Sequence, residues 1–121
     1  MLRIVLVTAL PESVRSFAEA LLLEPEVHLD YAGSGAEALT IARTASPHLV
    51  VLDSELPDAE PLKLISELLT LNAMVNTAVI SPLPEEEFHE ASEGLGVLAR
   101  LPLNPGGDDA AELVRKLRRV L

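Results

Sequence analysis

The chain has 121 residues, enough for one domain and too few for two ordinary ones. Its apolar share of 49% and charged share of 23% are those of a globular protein and exclude disorder. Acids outnumber bases 19 to 9 for a net charge of -10, which opposes non-specific binding to nucleic acid or to an anionic membrane, since both need a positive surface. Cysteine is absent, which excludes disulfides, thiolate metal sites and cysteine nucleophiles. No apolar run approaches the roughly 20 residues of a membrane span. Met1-Leu2-Arg3-Ile4 carries no signal-peptide cleavage site, so the expected compartment is the cytoplasm.

Leu2 to Val7 is a short β-branched run that predicts a buried strand. Pro11 suits a first helical turn. Val14, Phe17, Ala18, Leu21 and Leu22 then recur at helical spacing until Pro25. Val27 to Tyr31 alternates apolar and polar and predicts an edge strand. Ser34-Gly35-Ala36-Glu37 fits a capping box, with Ser34 accepting from the third helical amide and Glu37 reaching back. Ala38, Leu39, Ile41 and Ala42 carry that helix towards Pro47. Leu49 to Leu52 predicts the most buried strand, ending at Asp53. A loop with Pro57 leads to a helix near Glu60 to Leu71, with Leu64, Ile65, Leu68 and Leu69 inward. Thr77 to Ile80 is a fourth strand ending at Ser81, and Pro84 to Glu93 is a short acidic helix. Val97 to Leu101 predicts a fifth strand closed by Pro102. Asp108 or Asp109 is the expected cap of a last helix carrying Leu113, Val114, Leu117 and Val120.

Strands and helices thus alternate strictly, which means a parallel sheet covered on both faces. In such sheets functional groups gather past the carboxyl ends of the strands. Those ends are Thr8-Ala9, Asp53, Ser81 and Leu101-Pro102.

Leu49-Val50-Val51-Leu52-Asp53-Ser54-Glu55-Leu56-Pro57 is an apolar run, then Asp, with Pro four residues later. It resembles the phosphoacceptor strand of the receiver domain of bacterial two-component response regulators. Ala32-Gly33-Ser34-Gly35-Ala36-Glu37-Ala38-Leu39, Ala78-Val79-Ile80-Ser81 and Leu101-Pro102-Leu103-Asn104-Pro105 resemble three further receiver segments in the right order. The resemblance covers nearly the whole chain. It implies a flavodoxin-like (βα)5 fold, a five-stranded parallel sheet in the order 2-1-3-4-5 with helices on both faces. It also implies Asp53 as candidate phosphoacceptor and Ser81 as candidate switch hydroxyl.

The departures from the pattern are chemical. The family's acidic pair, which holds magnesium with the phosphoacceptor, falls on Thr8 and Ala9. Its lysine falls on Leu101, its aromatic switch position on Leu98, and its glycine after the phosphoacceptor loop on Pro61. Magnesium takes oxygen ligands, one or two of them carboxylates, and here Asp53 stands alone. Arg100 is adjacent to Leu101, but strand alternation aims it at the other face. The residues therefore read as a degenerate receiver, in which magnesium binding is weak or absent and no other cofactor is implied. In a plainer reading, Asp53 is a carboxylate at a strand end, solvated or bonded to loop amides, and Ser81 caps the next helix.

Other motifs yield less. Gly33-Ser34-Gly35-Ala36-Glu37-Ala38 is a loose dinucleotide fingerprint, but it follows the second strand rather than the first, and the capping box accounts for it. His28, His48 and His89 are scattered, so no metal site is expected. Ser13 and Ser16 have no nearby His-Asp partner for a hydrolase triad. Glu85, Glu86, Glu87, Glu90 and Glu93 crowd one segment, while Arg115, Lys116, Arg118 and Arg119 crowd another. Both suit the helix dipole. In a receiver these two helices flank the fifth strand, where acid and base are self-complementary across a two-fold axis. The candidate interface is Glu86, Glu90, Leu95, Leu98, Arg115 and Arg118, with Val97 beside the leucines. A second apolar candidate is the first helix with Phe17 and Leu21 to Leu23.

The expectation is a single receiver-like domain over residues 1–121 with no output domain. It would be a non-enzymatic module acting by protein contact without phosphorylation, with an unidentified protein partner or a homodimer. The alternative is a conventional receiver phosphorylated on Asp53 by a histidine kinase.

Overall fold

Side chains point alternately to the two faces of a strand, and here that alternation sorts the core into two layers. The computed structural model describes residues 1–121. The strands are β1 (Leu2–Val7), β2 (Val27–Ala32), β3 (Leu49–Leu52), β4 (Asn76–Ile80) and β5 (Ala99–Leu101). The helices are α1 (Arg15–Leu23), α2 (Gly35–Ala45), α3 (Pro61–Leu71), α4 (Glu85–Ala91) and α5 (Gly107–Val120). All strands pair in parallel in the order β2-β1-β3-β4-β5, so the fold is flavodoxin-like with helices on both faces.

Ile4, Leu6, Leu49, Val51, Ala78 and Ile80 face one way, onto Phe17 and Leu21 of α1 and Leu113 and Leu117 of α5. Val5, Val7, Val50, Leu52 and Val79 face the other way, onto α2, α3 and Phe88 of α4. Phe88 is the one buried residue of α4, whereas α5 buries Ala110, Leu113, Val114 and Leu117. No helix is long and apolar enough to cross a membrane.

Several boundaries differ from the sequence expectation. Pro11 opens a short 3-10 turn, Pro11–Val14, before α1 begins. Leu22 and Leu23 at the end of α1 are exposed, as is Val120 near the end of α5, so none of them is core. Strand β5 begins at Ala99 rather than Val97. The loop before it turns through Gly94 and Gly96 at φ 85 and 63, which delays entry into the sheet. Leu98 nevertheless donates its amide to the Thr77 carbonyl at 2.8 Å. Helix α5 is not capped by Asp108 or Asp109. Gly106 precedes its first residue, and Asp109 in the first turn reaches back to the Gly106 amide at 2.8 Å. Ser34 caps α2 as expected, accepting from the Glu37 amide at 3.2 Å. Glu37 reaches back past the cap to the Gly33 amide at 3.1 Å.

Candidate functional site

Parallel pairing sets Val7 of β1 against Leu52 of β3, so the next residues, Thr8 and Asp53, stand side by side at the carboxyl edge. The Asp53 amide donates to the Val7 carbonyl at 2.9 Å and so holds the register one step beyond the strand. Thr8, only 2% exposed, donates its hydroxyl to Asp53 Oδ2 at 2.7 Å. The same hydroxyl oxygen accepts from the Leu10 amide at 3.0 Å. The Ser54 amide donates to Asp53 Oδ1 at 2.8 Å. Each carboxylate oxygen therefore has one neutral donor, and none of the chain's ion pairs includes Asp53. Ala9 is exposed and offers no ligand.

Leu101, where a lysine would serve a phosphoryl group, is 4% exposed and belongs to the α1/α5 layer. Its carbonyl accepts from the Ser81 amide at 3.0 Å, which places Ser81 at the same edge. Ser81 Oγ accepts from the Leu83 amide at 3.2 Å. The plain reading of Ser81 as a helix cap is thereby corrected: Pro84 occupies the cap of α4, and Ser81 stabilises the loop before it. Asp53 and Ser81 share no hydrogen bond. Arg100 does turn away from Leu101, as alternation requires, and its Nη1 donates to the Ser81 carbonyl at 3.2 Å. Its Nε is buried without a partner. Pro61 stands in the first turn of α3, where a missing N–H costs no helical bond, and Glu60 caps the Leu62 and Lys63 amides. Nowhere do three His, Cys, Asp or Glu side chains converge as a metal cluster. At the edge itself, the end of β1 sets a hydroxyl and a methyl group rather than carboxylates beside Asp53, with Glu55 at the margin of the same recess, which is a poor match for magnesium.

A second carboxylate, Asp58, carries no signal in the sequence. Its Oδ1 accepts from the Gly35 amide at 2.7 Å and its Oδ2 from the Ala36 amide at 3.0 Å. These two amides, Gly35 first, hold the carboxyl below its ordinary value of 3.8. With Gly33 and Glu37 already bonded to Glu37 and Ser34, the amides at the start of α2 are occupied. Two carboxylates already stand there, so the Gly33 loop offers a phosphate neither free donors nor a favourable field. No local pattern points to Asp58, because it lies 23 residues from Gly35.

The expected interface residues differ in their surroundings. Glu86 and Glu90 of α4 are exposed. Leu98 packs on the α1/α5 layer and Leu95 and Val97 on the other, each partly buried, and Val97 and Leu98 both line the groove between α4 and α5. Arg115 pairs with Glu112 of its own helix. Arg118 reaches the other way and donates to the Pro25 carbonyl at 2.7 Å, tying α5 to the turn after α1. The cations that do line the groove between α4 and α5 are Lys116 and Arg100, with Glu85 and His89 opposite.

The arrangement matches solved structures closely. The response regulator receiver domain protein (CheY-like) from Methanospirillum hungatei JF-1 has a TM-score of 0.85 at 21% identity, covering 99% of this chain and 96% of that one. The receiver domain of the Francisella response regulator 1452 has a TM-score of 0.84 at 16% identity, covering 100% of both chains. The chain has the receiver fold. The chemotaxis response regulator CheY4 of Vibrio cholerae adds a TM-score of 0.81 at 16% identity over 100% of this chain and 99% of that one. No protein-family model and no curated protein matches the sequence. At these identities the likeness concerns the receiver fold, and the chemistry of the site rests on its own residues.

Proposed function

We propose that this chain is a receiver-like signalling module that acts by protein contact and does not depend on phosphorylation. The observation that carries the reading is the neutral bonding of Asp53. Its oxygens are held by the Thr8 hydroxyl and the Ser54 amide, with no cation paired to it. Phosphoryl transfer needs positive charge where the phosphoryl oxygens develop theirs. Thr8, Ala9 and Leu101 supply none. Magnesium binding is correspondingly weak or absent. In two-component signalling such a module conveys its state through its surface, and a second copy docking across α4, β5 and α5 is one form of that contact.

The competing reading, a conventional phosphoacceptor, draws on Asp53 itself, which is only half-buried and opens on a recess at the edge of the sheet. Intact mass after incubation with magnesium and acetyl phosphate separates the two. The expected result is an unchanged mass. A stable phosphoryl adduct that Asp53→Asn abolishes would establish the phosphoacceptor instead.

A further inference from the structure

An open sheet leaves one side of each outer strand without backbone partners, and the two edges of this sheet are finished differently. Strand β5 is three residues long and is closed by Pro102, which has no amide to offer. Strand β2 is six residues long and contains no proline, glycine or lysine. The Glu26 and Ala32 carbonyls accept from the Leu2 and Thr8 amides at 2.7 and 2.8 Å. Alternation along the ladder therefore turns the backbone groups of His28 and Asp30 towards β1 and those of Val27, Leu29 and Tyr31 outward. No loop or helix end of the chain bonds to these outward groups.

The side chains of β2 are disposed symmetrically about Leu29. His28 and Asp30 share one face, where His28 Nε2 meets Asp30 Oδ1 at 3.3 Å. Val27, Leu29 and Tyr31 share the other, with Val27 and Leu29 against the α1/α5 layer and Tyr31 46% exposed. An antiparallel neighbour related by a two-fold axis beside Leu29 sets Leu29 against Leu29, Val27 against Tyr31 and His28 against Asp30. The outward backbone groups then face one another, so the leucine pair and each Val27–Tyr31 pair exchange both of their N–H···O bonds. His28 and Asp30 become the non-hydrogen-bonded pairs, in which side chains stand closest. Imidazole and carboxylate alternate around that face, and Val27 beside Tyr31 is a favoured β-branched and aromatic pair. A shift of two residues would set Asp30 against Asp30 or against Glu26, which repel. A shift of one would oppose outward groups with groups already bonded to β1.

We infer that β2 is an interface for a second copy of this chain, paired edge to edge with β2 of the first in the register centred on Leu29, which joins the two sheets into one. Self-complementarity selects the occupant: this register satisfies the outward backbone groups and opposes unlike side chains, and its neighbours fail one or the other. The interface lies at the far edge of the sheet from β5, and it uses neither Asp53 nor the charged helices α4 and α5.

The chain has no cysteine, so introduced thiols report the register without background. The full chains carrying His28→Cys and Asp30→Cys are mixed in equal amounts, oxidised mildly and weighed by intact mass. A non-hydrogen-bonded pair holds its Cα atoms about 4.5 Å apart, within the roughly 4.4–6.8 Å that a disulfide spans. Two copies of the same variant would hold their thiols on a diagonal, about 7–8 Å apart. The mixed disulfide dimer should therefore far exceed the two like dimers combined, and it keeps one native His28–Asp30 pair. The unsubstituted chain gives a second reading by amide hydrogen exchange. The Val27, Leu29 and Tyr31 amides should exchange about tenfold more slowly at high than at low protein concentration, one backbone hydrogen bond's worth. A mixed dimer no more abundant than the like dimers together, or exchange at these amides that ignores concentration, would overturn the inference.

Discussion

Thr8 has two bonds to keep with one hydroxyl: it donates to Asp53 and accepts from the Leu10 amide. Thr8→Val preserves shape and removes both. It should cost about 1–2 kcal/mol in urea unfolding, because a partly buried amide then lacks an acceptor. Asp58 makes a pH-dependent contribution of definite sign. Its carboxyl is held below 3.8 by the Gly35 and Ala36 amides, so the folded state favours the charged form. That stabilisation is full above the unfolded value and is lost as pH falls through the folded one. Asp58→Ala should therefore melt below the unsubstituted chain at neutral pH, and the gap should close as the pH drops below 3.8. A gap that does not narrow at all as the pH falls below 3.8 would assign the effect to something other than the carboxylate. Both residues are hard to read in the linear sequence. Thr8 looks like a lost acid, and only the pairing of β1 with β3 reveals it as the donor to Asp53.

Helix α2 begins where the loop before α3 presses against it. A Cβ on Gly35 would stand 2.9 Å from the Ala59 Cβ and 3.2 Å from Asp58 Oδ1. Gly35→Ala should therefore destabilise the fold by about 1–3 kcal/mol in urea unfolding, the range for forcing a methyl group into a filled space. An unchanged midpoint would mean that the loop yields freely. The glycine's second, packing role is invisible in the sequence, where Gly35 fits a capping box and a loose glycine fingerprint. The elements themselves are legible wherever β-branched runs or helical spacing are strong, as in β1, β3 and α3. They are least legible at β5, where Val97 and Leu98 look like strand but follow glycines that turn the chain. The direction of Arg118 is hidden too. Its bond to Pro25 spans 93 residues and depends on how α5 lies on α1.

Over the whole molecule, charge and contact oppose each other. Each copy carries -10, so two copies repel at long range, and at the charged face of α4 and α5 local ion pairs are what favours a dimer. With Arg118 committed to Pro25 and Arg115 to Glu112, those pairs must join Glu86 and Glu90 of one copy to Lys116 of the other. Local pairs on a surface are screened within roughly 10 Å at 0.1 M salt. Sedimentation should show association at low salt that weakens at high salt, and Lys116→Glu should weaken it further. A monomer at low salt, or association that grows with salt, would remove the charged face as the cause. The two-layered core has a different implication, for how the sequence can change. Val50 and Val51 are neighbours in the chain yet pack into separate layers, Val50 with α2, α3 and α4 and Val51 with α1 and α5. Their side chains share no packing partner, so coupling between substitutions there has only the common backbone to pass through. The sheet acts as a partition, and each side can drift to its own set of side chains while the edge it carries stays in place.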